Sequence, residues 1–90
     1  MNTGYVPYMT LWDETAVVHT CGEDEREIKV YFEQPDEEFF FKYLELKLYS
    51  LDIIKKHGFT NDEVEKLLEF SKNNSDLIME YAKVGGAANA

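Results

Sequence analysis

The sequence predicts an α+β domain: an antiparallel sheet of three or four strands over residues 5–49, with two or three helices over 51–84 packed on one of its faces. Three observations carry this expectation. Apolar residues before Ser50 fall in short β-branched and aromatic runs broken by turn formers, and after Ser50 they fall at helical spacing. Leu44, Leu46 and Leu48 recur at period two, which a helix would scatter over more than half its circumference. Thr60-Asn-Asp-Glu63 spells a helix capping box, flanked by Phe59 and Val64 where a hydrophobic staple needs them.

Residues 5–12 read as a strand, with Pro7 tolerated near its start or on a sheet edge. Asp13-Glu14 then makes a tight reversal into residues 15–21, in preference to one long strand running through the acids. Residues 22–25 are a loop. Residues 26–33 alternate, with Ile28, Val30 and Phe32 on one face and Lys29, Tyr31 and Glu33 on the other. Residues 34–37 read as the next turn. In residues 39–49, Phe40 joins the three leucines on one face, and Phe41, Tyr43, Glu45, Lys47 and Tyr49 take the other. Ser50 can cap a short helix over 51–57, closed by Gly58, with Asp52 and Lys56 four apart in the favourable order. Beyond Thr60, Val64, Leu67, Leu68, Phe70, Ile78, Tyr81 and Ala82 mark one inward helical face. The poor helix formers Asn73-Asn74-Ser75 divide this region into helices at about 61–72 and 75–84, or kink one helix, and Gly85 ends it.

Length and composition bound the function. Ninety residues make one domain, with flexible ends expected at about 1–4 and 86–90. Eighteen acids against nine bases leave a net charge of -9. Direct nucleic-acid binding needs a basic face, and docking to an anionic membrane needs the same, so neither is expected. No apolar run approaches a membrane span, and no secretory leader is expected at the start. A single cysteine, Cys21, excludes an internal disulfide and suits a reducing compartment, hence a cytoplasmic location.

Catalytic chemistry finds little purchase. His19 and Cys21 stand two apart on a strand, the start of a metal site, but zinc needs at least three protein ligands and His57 is the only other histidine. The plainer reading is a half-buried cysteine and a surface histidine. There is no nucleophile elbow, phosphate loop or H-E-x-x-H motif, and Gly85-Gly86 is a helix stop. No enzyme, cofactor or metal is expected.

Two surface features remain. Glu23, Asp24, Glu25 and Glu27, then Glu33, Asp36, Glu37 and Glu38, gather acids around one strand. They serve solubility, steer a basic partner, or imitate nucleic-acid phosphates. The two groups sit roughly 25 Å apart at 3.3 Å per residue, so a continuous mimic would need acids from other elements. The second feature is aromatic: Tyr31, Phe41, Tyr43 and Tyr49, edged by Lys47, have the composition of a protein interface. Either this face stays open, or the amino-terminal segment with Tyr5, Tyr8 and Trp12 folds across it. The expected function is therefore a small acidic binding module that occupies a partner protein with a basic surface. An inhibitor, an antitoxin or immunity-type protein, or a phage- or plasmid-borne antagonist would act so. A homodimeric structural subunit is the alternative, with nucleic-acid mimicry behind it.

Overall fold

The computed structural model describes residues 4–11, 13–22, 24, 27–38 and 40–84. Five strands and one helix succeed one another in order: β1 (Tyr5–Thr10), β2 (Ala16–Thr20), β3 (Lys29–Asp36), β4 (Phe40–Lys47), β5 (Asp52–His57) and α1 (Asn61–Val84). The strands form one antiparallel meander in sequence order, and α1 lies across one face. The α+β class stands, with five strands in place of three or four and one helix in place of two or three. No helix among the described residues is long and apolar enough to cross a membrane.

The core arises from period two on the three central strands. Val17, Val30, Phe32, Leu44 and Leu46 point beneath α1, where Val64, Leu67, Ile78, Met79 and Ala82 meet them. Ile28 and Leu48, just outside β3 and β4, complete the buried set. Phe32 meets Phe70 edge-on, with ring centres 6.0 Å apart. The β1–β2 reversal falls where Asp13-Glu14 places it. Thr15 N–H donates to Asp13 Oδ1 at 3.1 Å, and Gln34 Nε2 donates to the Asp13 carbonyl at 3.0 Å.

Four local expectations are corrected. Residues 51–57 form β5, an edge strand, where the cap and charge spacing predicted a short helix; Asp52 lies opposite Lys47 and Lys56 opposite Leu44. Without β5, the strand carrying the buried leucines would be an edge with unpaired backbone groups, and that demand outweighs local helix spelling. Gly58 does take a left-handed conformation, φ 84°, but after a strand. Strand β3 continues through Gln34-Pro35-Asp36, predicted as a turn. Its pairing with β2 ends at Ala16 opposite Glu33, so among the described residues Pro35 has a strand neighbour only on the β4 side, and this locally edge-like position tolerates a proline. Phe40 does not join the leucine face: its backbone is left-handed, φ 65°, and it is 81% exposed. Phe39 and Gly85 lie outside the described residues.

The fourth correction is α1 itself, which runs unbroken through Asn73-Asn74-Ser75. Three of its poor helix formers bond back one turn: Ser71 Oγ donates to the Leu67 carbonyl at 2.9 Å, Asn74 Nδ2 to Phe70 at 2.8 Å and Ser75 Oγ to Ser71 at 2.5 Å. Asn74 Oδ1 also accepts from the Tyr8 hydroxyl at 2.8 Å. The helix starts at the predicted capping box, where Thr60 N–H donates to Glu63 Oε1 at 2.8 Å and Glu63 N–H to Thr60 Oγ1 at 3.2 Å. Lys42, reaching from β4, pairs with Glu63 at 3.1 Å and lies over the Phe59 ring.

Two substitutions test this architecture by urea unfolding. Leu46→Ala should cost roughly 2–5 kcal/mol, the usual range for truncating a buried leucine. Gly58→Ala should cost roughly 1–3 kcal/mol through backbone strain, because the position is left-handed and a new Cβ would stand 2.7 Å from Lys42 Cγ.

Candidate functional site

The face of the sheet opposite α1 has no second layer among the described residues. Antiparallel register sets its side chains in cross-strand rows. Val18 on β2, Tyr31 on β3, Glu45 on β4 and Lys55 on β5 form one row; Ala16, Glu33, Tyr43 and His57 form the next. Tyr31 and Tyr43 stack at 6.2 Å between ring centres, and Tyr43 stacks on His57 at 5.2 Å. Lys55 Nζ lies over both tyrosine rings, at 5.8 and 5.7 Å from their centres.

Tyr5 on β1 lies opposite Thr20, two residues along from Val18, and its ring reaches to 5.9 Å from that of Tyr31. Tyr5 and Tyr8, three apart, take opposite faces, and the register shift between Pro7 and Met9 sets which face each takes. Tyr5 joins the open face, whereas Tyr8 goes beneath α1 against His19, Phe70 and Tyr81. The segment thus adds to the tyrosine face at one edge without covering it. Trp12 lies outside the described residues.

The polar groups of this face are tied to one another. The Tyr5 hydroxyl donates to Glu45 Oε2, and the Tyr31 hydroxyl donates to Glu33 Oε1 at 2.9 Å. Glu45 is only 5% exposed, with Lys55 Nζ 4.0 Å from its other oxygen. Burial, then the hydrogen bond to Glu45 and its charge, push the Tyr5 hydroxyl up to about 12. The Tyr31 hydroxyl is also raised, first by burial and then by its bond to Glu33. Between Tyr5 and Tyr31 the small residues Ala16 and Val18 leave a trough of about 450 Å³, with Glu33 and Lys55 completing its lining.

Of the residues singled out by sequence, Tyr31, Tyr43 and Lys47 lie on this face, and Phe41 extends it toward the β3–β4 turn. Tyr49 does not join them: its hydroxyl reaches Asp76 on α1 at 3.3 Å. Asp36, Glu37 and Glu38 cluster at the β3–β4 turn, where Asp36 Oδ2 accepts from the Glu38 N–H at 3.0 Å. Asp24 is exposed beyond the opposite end of β3. Glu23 and Glu25 lie outside the described residues. Ala16, Val18, Lys55 and His57 are residues of this face that sequence reasoning missed, whereas it takes Glu33 only as one of the acids and Tyr5 only as part of a covering segment. The alternation of β3 already puts Glu33 beside Tyr31, but the helical reading of β5 hides Lys55 and His57.

The nitrogen and sulfur ligands do not converge. His19, expected at the surface, is fully buried beneath α1, because it shares the inward parity of Val17. Its Nδ1–H donates to the Thr20 carbonyl at 2.7 Å, and Nε2 meets no hydrogen-bond partner. Cys21, expected half-buried, is exposed just past the end of β2, with its thiol raised by partial desolvation. His57 is on the other side of the sheet. Among the described residues no three His, Cys, Asp or Glu side chains gather as a metal site would need. The arrangement is an exposed aromatic surface on an α+β fold, with polar tips held in place around the rings. The chain matches no protein-family model, no characterised protein and no solved structure.

Alkaline titration followed by phenolate absorbance should find Tyr5 ionising near 12, and Tyr5→Phe should remove that late component. The raised value means that the neutral hydroxyl is favoured in the folded state. Its contribution to stability is complete below about pH 10 and is lost as pH rises through about 12.

Proposed function

We propose that this chain is a binding protein that occupies a basic surface of a partner protein, with the open tyrosine face as its contact. The observation that carries this reading is the row Tyr5–Tyr31–Tyr43–His57, a continuous aromatic surface outside the core. Tyrosine supplies large contact area at low side-chain entropy, and its hydroxyl tolerates water in the unbound state. Its neighbours are already hydrogen-bonded, so the face meets a partner preorganised. The net charge of -9 supports attraction of a basic surface over distance. Such a protein acts by steric blockade, as an inhibitor or an antitoxin does, and needs no cofactor. A lone exposed thiol suits the reducing cytoplasm.

Self-assembly is the second reading, and the β5 edge favours it: Ile53 and Ile54 are 43% and 46% exposed on a strand that, among the described residues, pairs only with β4. Light scattering coupled to size exclusion separates the two. A monomer supports the heterologous partner, and a stable dimer supports self-assembly.

Binding kinetics against a partner recovered from native extract test the main reading. Tyr43→Ala should speed dissociation at least about tenfold, as loss of a desolvated aromatic anchor does. Charge reversal at Asp36, Glu37 and Glu38 should slow association at low salt and leave dissociation nearly unchanged. If the acids set the off-rate at every salt concentration and Tyr43 is silent, the contact is carboxylate mimicry of nucleic acid instead.

A further inference from the structure

The trough beside Tyr31 has a chemical polarity that narrows what it can hold. The Tyr5 proton goes to Glu45 and the Tyr31 proton to Glu33, so neither hydroxyl has a hydrogen left to offer. Glu33 spends Oε1 on Tyr31, and its Oε2 takes no hydrogen bond from any described residue. Ala16 and Val18 contribute only apolar floor. The one cationic lining residue, Lys55, is drawn toward Glu45 and over the Tyr31 and Tyr43 rings. What Glu33 and the two tyrosines leave for a guest is carboxylate and phenol lone pairs between two aromatic walls, with the Lys55 ammonium at the margin beside Glu45.

We infer that this trough receives an arginine side chain of the basic partner, its guanidinium stacked on the Tyr31 ring and donating to Glu33. The inference rests on the proposed binding role of this face and names the anchor that would fill it. Arginine fits on three counts. Its guanidinium carries five donors and no acceptor, the complement of the Glu33 carboxylate and the two phenol oxygens whose hydrogens are already spent. It is planar and stacks on aromatic faces, which a hydrated lysine ammonium does less well. It is cationic, as the net charge of the chain favours. A volume of about 450 Å³ admits the whole side chain with its neighbouring backbone. An acidic guest would meet Glu33, and a neutral apolar one would leave the Glu33 oxygen unpaired and desolvated.

The test uses the intact protein and N-acetyl-arginine methylamide, observed by heteronuclear NMR, with the citrulline and lysine analogues as controls. Citrulline keeps the shape and removes the charge. The arginine probe should give saturable shifts at Tyr5, Ala16, Val18, Tyr31 and Glu33, the lysine probe weaker ones, and the citrulline probe none that saturate. Glu33→Gln, which keeps an acceptor for Tyr31, should weaken the arginine probe at least about fivefold, the effect of losing a charge-assisted hydrogen bond. Lys55→Met should tighten it, because a competing cation is gone. Citrulline binding as well as arginine, or shifts confined elsewhere, would overturn the assignment. Failure of the arginine probe while partner dissociation still responds to Tyr43→Ala would sink this inference and leave the binding role standing. Saturable arginine binding with partner kinetics indifferent to Tyr43→Ala would do the reverse.

Discussion

One helix can cover one face of a sheet, and only part of its width. At 1.5 Å per residue the 24 residues of α1 span about 36 Å, close to the 37 Å long axis of the molecule. Across the sheet, five strands spaced about 4.8 Å apart need roughly 19 Å, against about 10–12 Å for a helix with its side chains. The fully dry positions therefore concentrate on β2, β3 and β4, and β5 is exposed along its whole length. Ser71 and Ser75 lie on the covered face, where small side chains that bond back to their own helix leave no polar atom unpaired. The other face and the two edges are left to be stabilised by other means.

The open face shows how. Leucine at Tyr31 and Tyr43 would create an exposed apolar patch of the kind that drives association. Tyrosine buries nearly as much carbon and carries a polar tip. Those tips are then used to hold carboxylates: Glu33 is fixed by Tyr31, and Glu45, nearly buried, is fixed by Tyr5 with Lys55 beside it. A buried carboxylate without partners would cost several kcal/mol, so the bond from Tyr5 and the nearby Lys55 are required once Glu45 is nearly buried among the side chains of the open face. The same bonds that make the face tolerable in isolation aim its lone pairs outward. Stability and the proposed recognition would draw on one set of contacts.

The legible parts of the sequence are those in which local pattern and tertiary demand agree. Leu44, Leu46 and Leu48 at period two, the alternation of Ile28, Val30 and Phe32, and the Thr60–Glu63 capping box each describe an element that its surroundings also favour. Residues 51–57 are the converse. A serine cap, an Asp52–Lys56 spacing and a terminal glycine spell a helix, and only the unpaired edge of β4, a non-local fact, makes them a strand. Asn73-Asn74-Ser75 misleads in the other direction, because tertiary packing and back-bonding to carbonyls stabilise a helix that propensity would interrupt. The tyrosine face is half legible. Tyr31 and Tyr43 come from strand parity alone, whereas Tyr5 depends on a bulge, and Lys55 and His57 depend on the missed strand.

The distribution of charge then separates two tasks. The acids of the strand ends, Asp13, Glu14, Asp24, Asp36, Glu37 and Glu38, and those along α1 outnumber the bases around them. Between these ends, Lys29, Lys47 and Lys55 offset Glu33 and Glu45 on the open face itself. A basic partner of the kind proposed would at a distance feel the ends and the helix, whose field salt screens beyond about 8–10 Å. A partner in contact feels the rings and the few lone pairs between them, where field strength matters less than fit. Screening would reach the first and hardly touch the second, so in the proposed complex association rate and residence time would rest on different residues. A continuous stripe of carboxylates would merge those tasks into one salt-sensitive contact. The tyrosine row between two acidic ends keeps them apart.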